Sequence, residues 1–316
     1  MTSTKKKKIL KSFLKGSAVV IIIYLIVSIL ATKLVYDSVF GRYDAPTEEI
    51  SYAKQYTGYS ARKTYSYSCG DNKLSGYLYP SAVPTNKLVV VVPGFHAETE
   101  HYEGVIQGFL DLGFDVFAFD ATGQGESGGE TSLGFPQIIH DLNATLDFIE
   151  GSKDFAYNDV FLFGHSRGGY AACCVINEHP DISGVISVNA VDTAMDGIMA
   201  YSTDYIGDIA YGNYHFLWLY QYMLFGGDVA DRSASEQINK SEVPVMVIQS
   251  KNDEQLSEGD FSLYSHKNEI TSSKASFVLY SSSDKDGHTS ILYDKNGIAN
   301  SEILEKATLF FNSNAD

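Results

Sequence analysis

The chain has 316 residues, 44% of them hydrophobic, enough for one large core or a core with an inserted subdomain. Gly and Pro together supply 34 residues, too few for a low-complexity or disordered chain. The net charge of −16 is unevenly spread. Residues 1–35 hold seven lysines and no acid, so the remainder carries 16 basic and 39 acidic residues, a balance that repels nucleic acid.

Six lysines precede the apolar run SAVVIIIYLIVSILAT (17–32), and Lys33 can snorkel at its far edge. With Leu34 to Tyr36 the stretch approaches the ~20 residues that cross a bilayer. A cleaved signal peptide would have a shorter apolar region, and a cut after Ala31 would place Ile29 at the small-residue position. The expectation is therefore a basic cytoplasmic segment at 1–16 and an uncleaved signal anchor at 17–36. The lysines stay inside, placing the rest of the chain outside a plasma membrane. Cleavage of the segment, giving a secreted protein, is the competing reading.

Residues 37–60 read as a polar, Tyr-rich tether, and a single domain is expected over 61–316. It opens with a hairpin signal, KTYSYS, a turn at Cys69 to Asn72, then KLSGYLYP. Six short apolar runs follow: 88–92, 114–119, 159–164, 184–188, 243–249 and 276–281. Helix-like patterns fall at about 100–112, 136–150, 166–178, 258–268 and 300–312. Continuous apolar strands separated by helices predict an α/β fold, a mostly parallel sheet covered on both faces. The gap between the strands at 184–188 and 243–249 is far longer than a loop and rich in Tyr, Phe and Trp. It predicts a helical cap at about 191–240, a few of whose rings line an apolar substrate pocket. The three cysteines show no disulfide or zinc spacing.

Two pentapeptides fit Gly-x-Ser-x-Gly, centred on Ser127 and Ser166. Context separates them. A nucleophile elbow needs a strand, a tight turn and a helix, and only Ser166 lies between an apolar strand and a helical pattern. Serine needs a general base. His288, in the loop after the last strand, falls on the same sheet edge, whereas His179, His215 and His266 do not. Asp253, in the turn after the strand at 243–249, is placed to hold the imidazole; Asp192 is its nearest rival, and Glu254 and Asp286 are weaker alternatives. Backbone N–H groups of Phe95, in the turn after the strand at 88–92, and of Arg167 are the expected oxyanion donors. Taken one by one, these features also fit a Pro-Gly turn, an Asx turn and a surface histidine.

Together the motifs resemble the α/β-hydrolase superfamily, in its serine aminopeptidase/monoacylglycerol-lipase-like branch. They are Pro93-Gly94-Phe95-His96-Ala97-Glu98, Asp120 to Ser127, Gly164-His165-Ser166-Arg167-Gly168-Gly169, Asp253, and Gly287-His288. The resemblance covers roughly 60–313 and explains Ser127 as a structural loop residue. Pro93 and Thr122 stand where the branch commonly has His and Arg. The resemblance implies a serine hydrolase acting on a carboxylic ester with an apolar or aromatic group, without metal or cofactor. A peptidase, an acyltransferase and a catalytically inactive anchored binding module are the alternatives.

Overall fold

A computed structural model describes residues 3–45, 56–256, 260–282, 287–293 and 297–315. Asp286 and the middle of the expected tether lie outside the described residues. The strands are β1 (Lys63–Cys69), β2 (Asn72–Tyr79), β3 (Lys87–Val92), β4 (Asp115–Phe119), β5 (Asp159–His165), β6 (Gly184–Val188), β7 (Val245–Ser250) and β8 (Ala275–Tyr280). The principal helices are α1 (Ser3–Val39), α2 (Glu103–Asp111), α3 (Gln137–Gly151), α4 (Arg167–Cys174), α5 (Ala194–Ile206), α6 (Tyr214–Phe225), α7 (Ala234–Lys240) and α8 (Ser301–Ser313).

The eight strands form one sheet in the order β1-β2-β4-β3-β5-β6-β7-β8. The opening hairpin β1-β2 pairs antiparallel with β4, and every pairing from β4 to β8 is parallel. The central parallel strands are buried on both faces, which is why β3 (KLVVVV) and β6 (GVISV) are continuous apolar runs; the edge strand β8 is only half-buried. Two apolar cores follow, one on each face of the sheet. Leu88, Val90 and Val92 point into one, with α3 and α4; Val89 and Val91 point into the other, with α2 and α8.

Two expected helices differ. The pattern at 258–268 gives only a 3-10 segment, Leu263–Asn268. The helix expected at 166–178 is a regular α-helix only over Arg167–Cys174, and Pro180 follows closely.

Between β6 and β7 the chain is helical, with α5, a 3-10 segment Gly207–Asn213, α6 and α7. Helix α6 is apolar almost all round, yet Leu219, Met223 and Leu224 are exposed.

Helix α1 has 37 residues, about 55 Å of helix, and is long and apolar enough to cross a membrane by length and composition. Its N-terminal two thirds touches little else. Its C-terminal third packs on the domain: Ser28, Thr32 and Tyr36 are buried, as is Phe40 just beyond the helix. Asn213 donates to Thr32 Oγ1 (3.0 Å), Tyr24 donates to Gly212 O (3.1 Å), and Tyr36 meets Tyr220 edge-on at 4.6 Å. Beyond the helix, Tyr43 N–H donates to Gly123 O, and Arg42 donates to the carbonyls of Ser127 and Gly129. The described part of the segment after α1 is therefore held against the domain.

One backbone approach fixes the position of α4. A Cβ on Gly168 would lie 2.1 Å from Val92 O, a backbone atom that cannot swing aside. Gly168→Ala is expected to destabilise the fold by more than about 3 kcal/mol. Gly151→Ala, at the end of α3 with nothing near its Cβ, should stabilise by up to about 1 kcal/mol. Paired urea titrations read both; equal midpoints would contradict the packing.

Candidate active site

Strand β5 ends at His165 and α4 starts at Arg167, so Ser166 alone makes the turn. It does so at φ 55°, ψ −122°, a conformation costing a β-carbon residue about 1–3 kcal/mol. Its N–H is anchored to Val188 O of β6 at 2.8 Å. The flanking glycines make this turn possible, since a Cβ on Gly164 would lie 2.3 Å from Gly168 O. Ser127 is used differently. Its hydroxyl donates to Asp120 O (2.6 Å) and accepts from Ser75 N–H (2.9 Å), which ties the loop after β4 to β2.

His288 and Asp253 come together. His288 Nδ1 lies 2.9 Å from both carboxylate oxygens of Asp253, and both residues are buried. Asp253 also accepts from Gln249 Nε2 and from the N–H groups of Gln255 and Leu256. Burial alone would raise this carboxyl, but the His288 hydrogen bond, its charge and the two amides together hold it below its ordinary value. With Nδ1–H committed to a carboxylate, Nε2 is the free basic nitrogen. It is buried without a hydrogen-bond partner among the described residues. Ser166 and His288 both line a cavity of about 140 Å³, together with Gly94, Phe95, His165, Tyr201 and Gln255.

The rivals of Asp253 have other partners. Asp192 accepts from Ser235 N–H and Ser233 Oγ at the start of α7. Glu254 accepts from His288 N–H at 2.8 Å, so it supports the base's backbone. His179 pairs with Glu150 and His266 with Glu269.

Three residues around the base were not singled out from sequence. Gly94 N–H donates to Tyr102 Oη (2.8 Å), Tyr102 lies 3.2 Å from His165 Nδ1, and His165 Nε2 lies 2.9 Å from His288 O. Only Nε2 can donate to that carbonyl, so Nδ1 accepts from Tyr102. Burial first, and the nearby His288 second, push the His165 pKa down to about 3, which keeps this relay neutral. Asn189, at φ 47° after β6, donates to His288 O (2.8 Å) and accepts from Ser250 N–H (2.7 Å). The signal for His165 was its place inside the pentapeptide; for Asn189 it was a polar residue ending an apolar strand.

The turn after β3 carries Phe95. Neither the Phe95 nor the Arg167 N–H has an acceptor among the described residues. The Arg167 side chain points away from the cavity. It is fully buried between the Phe95 and Phe135 rings, each 5.6 Å from the guanidinium carbon, and donates to the carbonyls of Phe135 and Gly134. Burial lowers its pKa to about 10, which leaves it charged at neutral pH.

The end of α1 clamps this turn. Phe40 packs edge-on against Phe95 at 5.4 Å. His96, at φ 49°, stacks between Phe95 (4.0 Å) and Tyr43 (5.1 Å), and its Nε2–H donates to Val39 O (3.0 Å).

The fold is that of an α/β-hydrolase. Within that class the chain resembles the family described as "Serine aminopeptidase, S33", whose model matches residues 83–199. Monoglyceride lipase of Homo sapiens is 32% identical over 106 residues, 33% of this chain and 34% of the relative. Lysophospholipase L2 of Escherichia coli strain K12 is 27% identical over 113 residues, 33% and 32% of the two chains. The chain thus aligns with about a third of the length of these relatives. Among solved structures, an esterase of Pyrococcus furiosus superposes with a TM-score of 0.61 at 17% identity, covering 88% of this chain and all of the other. An alpha-beta hydrolase of Vibrio vulnificus gives 0.63 at 14% identity, covering 90% and 93%.

Glu98, just beyond this turn, accepts from Ala45 N–H and is almost fully buried. Burial pushes its carboxyl up to about 7. Raised in the folded state, this group contributes stability below about pH 4.5 that is lost as pH rises through 7. Glu98→Gln should therefore raise Tm by about 2–4 °C more at pH 8 than at pH 4.5. Differential scanning fluorimetry at both pH values checks this, and a pH-independent difference would contradict it.

Proposed function

We propose that the protein is a membrane-anchored serine hydrolase that cleaves a carboxylic ester through Ser166, His288 and Asp253. The observation that carries this is one cavity lined by a strained, elbow-borne serine and a histidine whose other nitrogen is held by a buried carboxylate.

The chemistry follows from the geometry. His288 Nε2 takes the Ser166 proton as Oγ attacks the acyl carbon. The Phe95 and Arg167 N–H groups stabilise the oxyanion. As the C–O bond to the alcohol breaks, His288 delivers the proton to the leaving oxygen. Water, deprotonated by His288, then attacks the acyl-enzyme, releases the acid and returns the proton to Ser166. Asp253 fixes the Nδ1–H tautomer and stabilises the imidazolium. None of these steps calls for a cofactor or metal, and the acidic domain is unsuited to nucleic acid. The lipase, lysophospholipase and esterase names among the similar proteins support an ester as substrate.

A peptidase is the second reading, favoured by the aminopeptidase description of the matching family model. Recognition of a free amine asks for a carboxylate at the site. Of the cap carboxylates Asp192, Asp196, Asp204 and Asp208, the first two accept from Ser235 N–H and Thr193 Oγ1, and Asp204 is the one that lines the cavity beside Ser166 and His288.

A fluorophosphonate should label the wild type, and Ser166→Ala should abolish labelling and p-nitrophenyl ester turnover. Asp253→Asn should lower kcat by about 10²–10⁴-fold, because Asn cannot hold the same tautomer. Full ester turnover by Ser166→Ala would refute the assignment. Faster turnover of aminoacyl anilides than of esters, lost in Asp204→Asn, would favour the peptidase.

The anchor reading places the lysines of α1 in the cytoplasm and the catalytic domain outside the plasma membrane. All three native cysteines are buried, so introduced thiols report cleanly. On intact cells a membrane-impermeant maleimide should label Leu309→Cys, at an exposed position, and label Lys11→Cys only after lysis. The reverse pattern would invert the topology, and release of the protein into the medium would show a cleaved segment.

A further inference from the structure

A second cavity, about 370 Å³, lies beside the catalytic one. That volume is within the range of small-ligand pockets, about 300–1,000 Å³. Four parts of the chain wall it: Val35 and Val39 of α1 with Phe40 just after it, Phe95 and His96 from the turn after β3, Phe135 before α3, and Ile198, Tyr201 and Ser202 from α5. Phe95, His96 and Tyr201 also line the catalytic cavity, so the two spaces share a wall. The Phe95 and Tyr201 rings meet edge-on at 5.4 Å and form that wall.

The position of this pocket decides which half of an ester it can take. The leaving oxygen must face His288, which protonates it. The carbonyl oxygen must face the Phe95 and Arg167 N–H groups. The acyl substituent then points away from His288. The second pocket is lined by Phe95 and Phe135 and not by His288, so it lies on the acyl side.

The surroundings of the pocket indicate where such a substrate comes from. The insertion runs beside α1 from Tyr24, which touches Gly212 and Phe216, to Tyr36, which touches Tyr220. That is twelve residues, about 18 Å of helix, within the stretch 17–36 assigned to the membrane. On that side α6 exposes Leu219, Met223 and Leu224, and the 3-10 segment exposes Ile209. Exposed apolar side chains flanking a membrane-length helix suit contact with lipid better than with water.

We infer that the end of α1 is one wall of the acyl-binding pocket, and that the substrate is a long-chain lipid ester drawn from the outer leaflet along α1 and α6. This rests on the serine hydrolase and anchor readings above.

The test uses the full chain in phosphatidylcholine vesicles with p-nitrophenyl acetate and p-nitrophenyl palmitate. Val39→Trp fills the pocket from the α1 side and Ser202→Trp from the α5 side. Each is expected to lower the palmitate-to-acetate ratio of kcat/KM at least tenfold. The rate of Ser166 labelling by a long-chain relative to a short-chain alkyl fluorophosphonate should fall in parallel, a readout that survives poor turnover. Ratios within twofold of wild type for both substitutions, with Ser166-dependent hydrolysis intact, would overturn the pocket assignment alone. Wild-type chain without any Ser166-dependent ester hydrolysis would overturn the hydrolase reading and this inference with it.

Discussion

The approach of α4 to β3 is the constraint on which the site depends. With no side chain at Gly164 or Gly168, backbone passes backbone at a distance that any Cβ would close. That contact forces the single-residue turn at Ser166 and its positive φ. A turn costing about 1–3 kcal/mol persists only if its surroundings over-determine it. Here the restraints are the Ser166 N–H bond to Val188 O and the burial of all of α4. One distortion has two consequences. It lifts the hydroxyl out of the sheet edge, and it leaves the first N–H of α4 without an intrahelical partner, pointing where an anion would sit.

His288 is held as firmly as Ser166, but by convergence rather than by strain. Its side chain is fixed by Asp253. Its backbone carbonyl accepts from both His165 and Asn189, and its N–H donates to Glu254. These groups come from the ends of β5 and β6 and the turn after β7. The imidazole is therefore referenced to the same sheet edge as Ser166. The neutral His165 relay extends this to Gly94, beside the expected oxyanion donor. A protonated His165 would have to place a second cation in the same buried space as the His288 imidazolium that the proposed acyl transfer forms. Burial excludes that by holding its pKa near 3.

Much of this architecture is legible in the sequence, for physical reasons. Strands buried on both faces must be apolar throughout, so β3 to β7 stand out as short runs, the edge strand β8 keeps the same apolar run though only half-buried, and the hairpin alternates. Ser166 separates from Ser127 because an elbow needs a strand and a helix on either side, a local requirement. Other features depend on tertiary partners and leave no periodic trace. The 3-10 segment at 263–268 has helical composition, but Leu263 is tied by its N–H to Ala190 O. Asn189 and Tyr102 act through bonds to residues 99 and 63 positions away. The docking of residues 36–43 is likewise invisible. Their composition is that of a polar linker, and only the folded chain shows Phe40, Arg42 and Tyr43 meeting the loops after β3 and β4.

That docking ties the long N-terminal helix to the turn that carries Phe95. Burying Tyr36 and Phe40 is worth about 1.5–3 kcal/mol each. Displacing a catalytic group by about 1 Å costs on the order of 10²-fold in rate, close to 2.7 kcal/mol. The two quantities are of the same size, so α1 contributes enough to hold Phe95 in place but not so much that the contact is irreversible. His96 shows how the coupling is transmitted. Its left-handed backbone aims the ring back at Val39 O, and stacking on Phe95 carries the position of α1 to the neighbouring N–H. Burial also keeps His96 below the ordinary histidine pKa, so the ring stays neutral beside Arg167 and the clamp holds near neutral pH. A helix that by length alone is only a tether therefore shapes the environment of the residue expected to stabilise the transition state.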